Sequence, residues 1–214
     1  VQSSDGRYVV FASLATNLVA GDTNSQSDLF VHDRMTGYTE RVSVSSAGAL
    51  ANMAAIAFPG HRDAAAVYRV NVIGTLTLLE ALAREGHGRR GVLLPSTGTV
   101  YAGTGADTLA EEAALAPASH YAVSKLALEQ MAQLFAGVLP IVVVRPFNYT
   151  GPGQREPYLV PKIVRHFAQR ADAIELGNVD VVRDFLDVRP VVDAYARLLA
   201  APAAPGQTFN VCSG

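Results

Sequence analysis

A tyrosine and a lysine stand four positions apart, at Tyr121 and Lys125, in a run whose pattern predicts a helix. Residues four apart lie on the same face of a helix, one turn from each other. An ammonium about 4 Å from a phenol, at an effective dielectric of about 20, favours the phenolate by about 4 kcal/mol, or about 3 pKa units. The spacing thus predicts a tyrosine whose pKa moves towards neutrality and which exchanges a proton with a carbinol or carbonyl oxygen. A surface lysine whose stem packs over the tyrosine ring is the structural alternative.

Hydroxyl side chains follow the first strongly apolar strand of the same part of the chain. Residues 92–94 predict a short buried strand, and Ser96, Thr97 and Thr99 come shortly after it. Parallel sheets bind their ligands beyond the carboxyl ends of their strands. This context places hydroxyl groups where a ligand would lie, and it favours a chemical interpretation of the pair Tyr121 and Lys125.

The elements that must position these groups alternate between helix and strand after residue 51. Apolar residues recur at helical period over residues 63–85, where Gly86 supplies a C-cap, and Ser119 can cap a helix that runs to Phe135. Two more helices are predicted at residues 158–170 and 191–200, and strands at residues 92–94, 141–144, 173–176 and 208–211. Continuous apolar strands between helices indicate an α/β fold with a Rossmann-like, doubly wound parallel sheet that is covered on both faces.

Residues 1–50 have a different composition, rich in Ser, Thr, Asn, Asp and Gly. Short β-like runs at residues 7–12, 28–33 and 40–44 are separated by turn signals, which predicts an antiparallel meander of three or four strands. The pattern resembles one blade of a Tol-type β-propeller, a fold that needs several blades to close. The segment is interpreted either as an interaction module or as a marginally ordered meander left from another protein. We therefore divide the chain into residues 1–50 and 51–214.

Composition excludes several classes of function. The 214 residues carry a formal net charge of −2, with a pI near 6.2, and so provide no basic field for nucleic acid. With a single cysteine, Cys212, the chain cannot form an internal disulfide. Cys212 lies in an apolar run, so we expect it in the core. No metal site is predicted. No run approaches the ~20 apolar residues of a membrane span, and residues 1–6 lack the features of a signal peptide. We expect a cytoplasmic protein with no membrane contact, although a sequence that begins without Met leaves an upstream segment open.

The motifs together resemble the extended short-chain dehydrogenase/reductases. In that family a strand-end motif of the form Ser-Ser/Thr-x-x-Val-Tyr, here residues 96–101, precedes a Tyr-x-x-x-Lys pair by about two dozen residues, as it does in this chain. The resemblance implies that Thr97 is the catalytic hydroxyl residue, that Tyr121 is the acid/base, and that Lys125 binds the cofactor ribose and lowers the pKa of the tyrosine. It implies NAD or NADP as the cofactor.

Other segments agree with the same family. Residues 52–55, with Ala54 and Ala55, resemble a segment that lines the cofactor cleft, and residues 68–75 resemble a helix whose Asn71 lies beside the nicotinamide. A satisfied core amide is the alternative for Asn71. Residues 145–153 resemble the loop that closes over the nicotinamide, which implies that Pro146 contacts the cofactor and Asn148 the substrate.

Residues 175–189 and 209–214 resemble, within that family, the GDP-4-keto-6-deoxy-mannose reductases. By this resemblance Arg183 grips the diphosphate of a nucleotide-diphosphate sugar, a task suited to a planar bidentate donor. Pairing of Arg183 with Asp184 or Asp187 is the alternative. Thr99 is assigned to the substrate site, where those reductases often have Glu, so epimerisation and dehydration stay open beside reduction. The resemblance also implies a homodimer through the helices that carry Tyr121 and Asn71.

The glycine-rich turn of the family is missing from its expected place, about 50 residues or more before Asn52. The literal Gly-x-Gly-x-x-Gly at residues 86–91 follows a helix and leads into a strand, the wrong order for placing pyrophosphate on a helix N-terminus. We therefore expect a sheet that lacks its first βαβ unit, weakened cofactor binding, and a propeller blade joined to a truncated reductase. The alternative function is a propeller-derived interaction module fused to an inert reductase fragment.

Overall fold

The computed structural model describes residues 8–13, 15, 17–19, 28–35, 37–41, 49–53, 55–57, 62–84, 91–101, 108–154, 158–177 and 179–213. Three strands near the start of the chain, β1 (Tyr8–Ser13), β2 (Asp28–Asp33) and β3 (Tyr38–Arg41), pair antiparallel in that order. The turn between β2 and β3 contains Gly37 at a φ of 71°, a conformation that favours glycine. This arrangement confirms the predicted antiparallel meander.

The central sheet is parallel. It consists of β4 (Leu50–Ala51), β5 (Val92–Pro95), β6 (Ile141–Pro146) and β9 (Thr208–Val211), hydrogen-bonded in that order. Two short strands between β6 and β9 in the chain, β7 (Asn148–Thr150) and β8 (Phe185–Asp187), form a separate parallel pair. β4 begins at Leu50, at the boundary predicted from composition, and the division into two domains stays a prediction.

The described part of the chain contains five α-helices. They are α1 (Ala64–Tyr68), α2 (Thr75–Arg84), α3 (His120–Phe135), α4 (Leu159–Gln169) and α5 (Val188–Ala200), and a π-helical turn, Arg69–Gly74, joins α1 to α2. Asp63 caps α1 through Ala66 N at 2.9 Å. Ser119 caps α3 by accepting a hydrogen bond from Ala122 N at 3.1 Å, as predicted. Such caps satisfy backbone donors that a helix leaves unpaired at its start.

The core lies on both faces of the parallel sheet. On one face, Val92 and Leu94 of β5 pack with Leu79 and Leu82 of α2 and Leu128 of α3. On the other face, Leu93 of β5 and Val142 and Val144 of β6 pack with two residues of α5, Val191 and Tyr195. Neighbouring residues of a strand point to opposite faces, so the unbroken apolar runs of β5 and β6 supply both clusters. The prediction of a parallel sheet covered on both faces is confirmed.

Two local predictions are wrong, and the start of one correctly predicted helix differs. Residues 173–176 form no strand, because they lie in a largely exposed stretch without a ladder partner among the described residues. Cys212 is exposed rather than buried, because β9 ends one residue before it. α5 begins at Val188, three residues earlier than predicted, because Asp187 caps it by accepting from Arg189 N and Pro190 falls in its first turn, where proline is tolerated.

One helical run of the described chain has the length and hydropathy of a membrane span. It covers Ala64–Arg84, with a mean hydropathy of 1.3 over its most apolar window. The sequence prediction that no run approaches a membrane span did not take in these residues, because the charged Arg69 and Glu80 interrupt the apolar run. Val67, Leu79 and Leu82 of this run belong to the core, and core helices of water-soluble proteins have the same composition, so the run is a weak indication of a membrane.

Candidate active site

Helix α3 presents its functional side chains to the carboxyl end of β5. Thr97 and Tyr121 line the same cavity, and the Thr97 side chain is near enough to lower the pKa of the Tyr121 phenol. One turn further along α3, the Lys125 ammonium donates to the backbone carbonyl of Pro95 at 2.7 Å. Thr97 and Lys125 are buried, with 6% and 3% of their surfaces exposed. The structure therefore brings together the three side chains predicted to be catalytic, although their roles stay a prediction.

The electrostatics of this cluster differ from the sequence prediction. Burial raises the pKa of Tyr121 to about 12; the Thr97 side chain offsets this only in part, and nearby Tyr149 and Tyr158 raise the pKa further. Burial lowers the pKa of Lys125 to about 8. The near-neutral pKa that the spacing predicts for Tyr121 is thus not found. Burial removes water from the phenolate, and this cost exceeds the benefit expected from the nearby ammonium charge. At neutral pH Tyr121 holds its proton.

A cavity of about 110 Å³ opens beside these groups. Its walls come from the carboxyl ends of β4, β5 and β6 and from the inner face of α3. The described lining residues are Asn52, Met53, Ala55, Ala57, Pro95, Ser96, Thr97, Tyr121, Lys125, Pro146, Phe147 and Tyr149. This is the sheet edge at which open parallel sheets bind ligands. Ala55 and Pro146, both predicted to contact the cofactor, line the cavity, whereas Ala54 lies outside the described residues.

Asn71 lies in the π-helical turn and is fully buried. Its Oδ1 accepts from Ile56 N at 2.8 Å, and its Nδ2 donates to Ile56 O at 3.2 Å and to Ser124 Oγ at 2.9 Å. These hydrogen bonds use both the oxygen and the nitrogen of the side-chain amide, and Asn71 is not among the described residues that line the cavity. Its geometry is that of a satisfied core amide that ties the segment after β4 to α3.

Thr99 reaches the site through Thr97. The two hydroxyl oxygens are 3.0 Å apart, and Thr99 N donates to Thr97 Oγ1 at 3.2 Å. Between them, Gly98 lies against the ring of Phe147, and a Cβ at position 98 would lie 2.9 Å from Phe147 Cδ2. The close approach of Gly98 lets the Phe147 ring form part of the cavity wall.

Replacing Gly98 by alanine should displace this ring. A contact of 2.9 Å requires the ring to move, and overpacking of this kind costs about 1–3 kcal/mol. We expect a loss of that size in the free energy of unfolding, measured with urea, and weaker binding of any ligand in the cavity. Gly137→Ala is the matched control, because a Cβ there meets nothing within 4 Å. Equal stability of the two variants would contradict the described packing.

The two other predicted substrate residues are not among the described residues that line the cavity. Asn148 Nδ2 donates to Asp184 O at 3.0 Å, which joins β7 to the residue before β8. Arg183 is exposed, and its Nη1 donates to the carbonyl of Val182 at 3.0 Å. The described partners of Asp184 and Asp187 are Ser213 and Arg189 rather than Arg183. The described hydrogen bonds of Asn148 and Arg183 do not include Tyr121, and their roles in substrate binding stay predictions.

A buried ion pair beside the site was not foreseen. Arg145 of β6 donates from Nε to Glu129 Oε1 at 3.0 Å and from Nη2 to Oε2 at 2.7 Å. Burial opposes the Arg145 charge, but hydrogen bonds to Glu129 and Tyr101 outweigh it and hold the pKa of Arg145 above its ordinary value. Two sequence signals could have indicated the pair: a carboxylate four residues after Lys125 on the same helix face, and an arginine that ends an apolar strand.

Three comparisons place the chain among known proteins. The model of the NAD dependent epimerase/dehydratase family matches residues 7–212. The chain is 40% identical over 163 residues to GDP-6-deoxy-D-mannose reductase of Pseudomonas aeruginosa, a match that covers 72% of this chain and 53% of that protein. It is 36% identical over 165 residues to GDP-6-deoxy-D-talose 4-dehydrogenase of Aggregatibacter actinomycetemcomitans, covering 77% and 56%. The chain thus spans about half the length of these relatives.

The solved structures agree with the observed fold. The structure of RMD from Pseudomonas aeruginosa in complex with NADPH matches with a TM-score of 0.71 and 37% identity, covering 78% of this chain and 60% of that one. The comparisons give no support to the propeller resemblance of residues 1–50, to a chimeric or truncated chain, or to an interaction module; the family match takes in most of that segment. Fold, motifs and matches agree, and the chain belongs to the NAD-dependent epimerase/dehydratase family.

Proposed function

We propose that this chain carries the site of a nicotinamide-dependent reductase that converts the 4-keto group of a GDP-linked 6-deoxy-hexose to an alcohol. The observation that carries the proposal is the cavity at the carboxyl end of β5, which Thr97, Tyr121 and the buried Lys125 line together. A phenol that holds its proton at neutral pH is in the form that a carbonyl reduction needs.

The cavity suits the reactive end of a nicotinamide dinucleotide. Met53, Ala55 and Pro146 supply apolar wall for a flat ring. The Lys125 ammonium has three N–H donors, and its described hydrogen bond to Pro95 uses one of them, so further donors can serve ribose hydroxyls. When bound, the cofactor would supply a hydride to the carbonyl carbon.

The residues of this chain do the acid/base part of the reaction. Thr97 donates a hydrogen bond to the carbonyl oxygen and polarises the C=O bond. As the carbon accepts the hydride, the oxygen takes the phenolic proton of Tyr121, which leaves an alcohol and a phenolate. Lys125 stabilises that phenolate by its charge and limits the cost of forming it in a buried site.

The names of two relatives support the substrate class. One is a GDP-6-deoxy-D-mannose reductase, and the other is a 4-dehydrogenase of GDP-6-deoxy-D-talose. Both names specify a GDP-linked 6-deoxy sugar, and the second specifies oxidation at C4, the reverse of the proposed step. We propose NADP or NAD as the cofactor, and the NADPH complex of a 37% identical structure favours the first. The homodimer and a cytoplasmic location stay predictions.

A transfer experiment tests the proposal. The chain is incubated with GDP-4-keto-6-deoxy-mannose and NADPH that carries deuterium at the transferable position of the nicotinamide. We expect the GDP-6-deoxy-hexose product to gain one deuterium at C4, as mass spectrometry of the sugar nucleotide would show. Label that stays wholly on the cofactor after long incubation at high protein concentration would rule out the proposed reaction for this chain.

A further inference from the structure

The short segment that contains Thr97 is held by successive turns of α3. Lys125 binds the carbonyl of Pro95, and one turn later Glu129 accepts a hydrogen bond from the hydroxyl of Ser96. Ser96 and Glu129 are both buried, with 2% and 4% of their surfaces exposed. The residue directly before Thr97 is thus tied to α3 by a side-chain contact to a carboxylate, which is stronger than one between neutral groups.

The same carboxylate is fixed from β6. Arg145 grips Glu129 through two parallel hydrogen bonds of 3.0 and 2.7 Å, and only 6% and 5% of the two side chains are exposed. Bidentate pairs restrict geometry in addition to contributing energy. The desolvation of two buried charges offsets much of their attraction, so stability alone is a weak reason for such a pair.

The far side of Arg145 holds the other end of the segment. Its Nη1 donates to Tyr101 Oη at 2.5 Å and to the carbonyl of Glu111 at 2.9 Å, and the guanidinium carbon lies 4.9 Å from the centre of the Tyr101 ring. Tyr101 in turn donates to Asn210 Oδ1 of β9 at 2.9 Å. Arg145 is therefore linked to Ser96 through Glu129 and to Tyr101 directly.

We propose that the pair of Glu129 and Arg145 is a positioning device that holds the Thr97 hydroxyl at the cavity that Tyr121 also lines, by fixing both ends of residues 96–101. This inference rests on the proposed function for its catalytic meaning. Neither member of the pair contacts the reacting atoms; both act through the segment that carries Thr97. A misplacement of about 1 Å can lower a rate by about 100-fold, so a rigid mounting of Thr97 has a direct kinetic consequence.

The test removes the hydrogen bond between Ser96 and Glu129 and keeps the ion pair of Glu129 and Arg145. Glu129→Gln leaves a buried arginine without its counter-charge and can unfold the chain. Ser96→Ala instead removes only the hydroxyl, and we expect kcat for deuterium transfer to fall about 10–100-fold with KM nearly unchanged. Ser96→Thr keeps the hydroxyl and should restore most of the rate. Ile141→Val, a core change at the far end of β6, serves as the control for a modest loss of stability.

A measurement without turnover separates this proposal from the proposed function. With methyl-labelled threonine, three-bond couplings report the χ1 rotamer of Thr97 by NMR. We expect one rotamer in the unmodified chain and in Ile141→Val, and rotamer averaging in Ser96→Ala. A single unchanged Thr97 rotamer in Ser96→Ala, or a kcat equal to that of Ile141→Val, would overturn the positioning role. Absence of turnover in the unmodified chain would overturn the proposed function, and the rotamer measurement would still decide the positioning role.

Discussion

Replacing Tyr121 by phenylalanine is expected to lower the rate of deuterium transfer by about 10²–10⁴-fold, the range in which positioned acid/base groups contribute. The ring keeps its packing and only the hydroxyl is lost. The carbonyl oxygen then has no proton donor at this position. KM should change little, because the proton moves in the transition state rather than on binding.

Tyr68→Phe is the matched control for this change. Tyr68 lies on α1, and its hydroxyl is 3.0 Å from Nδ1 of His120 at the start of α3, outside the cavity. It removes one hydroxyl that contacts the same helix without touching the site. Deuterium transfer by Tyr121→Phe at the rate of the unmodified chain would show that Tyr121 is not the acid. A fall of equal size in both variants would point to a disturbed α3 instead.

Local sequence signals predicted the framework of this site well. Ser119 is the N-cap of α3, and that helix ends at Phe135 as expected. The apolar runs of β5 and β6 form parallel strands covered on both faces, because their alternate residues supply both core clusters. These features depend on near neighbours in the chain, and so periodicity and capping residues reveal them.

Features that depend on distant partners were missed. β7 and β8 are three residues each, and they pair only because the fold brings residues 148–150 beside residues 185–187. Residues 173–176, which were predicted to form a strand, do not form one, because no strand of the described sheets lies beside them to pair with. The partners Glu129 and Arg145 lie on different elements, and no periodicity connects them. The pKa of Tyr121 was predicted to fall, but burial raises it. The spacing of Tyr121 and Lys125 carries no information on how much solvent reaches the phenol.

The second large effect concerns stability rather than rate. Lys125→Met should gain stability relative to the unmodified chain at neutral pH, and this advantage should shrink as the pH rises. Burial holds the pKa of Lys125 at about 8, against an ordinary value of 10.5. The difference corresponds to about 3 kcal/mol, at 1.36 kcal/mol for each pKa unit. A buried lysine without a described carboxylate partner therefore weakens the fold while it serves the site.

The sign follows from proton binding. Below pH 8 the lysine is protonated in both states, and the folded state bears the full cost of the buried charge. Between pH 8 and 10.5 the unfolded chain binds more protons than the folded one, so stability rises with pH. Above pH 10.5 the group is neutral in both states and the cost is gone. Tyr121 has the opposite effect between pH 10 and 12, above the range from pH 7 to 10 in which the difference between the two chains is measured.

Urea unfolding of Lys125→Met and of the unmodified chain at intervals from pH 7 to 10 measures this difference. We expect the stability advantage of Lys125→Met to decline by up to about 3 kcal/mol across that range. Lys162→Met, which removes the other lysine from an exposed position on α4, controls for the loss of a lysine as such. A difference that stays constant from pH 7 to 10 would contradict the burial of the Lys125 charge.

Lys125→Met should also lose deuterium transfer, since the phenolate left by Tyr121 then has no cation beside it. A variant that is both more stable and less active would show that Lys125 is kept for its chemistry and not for the fold.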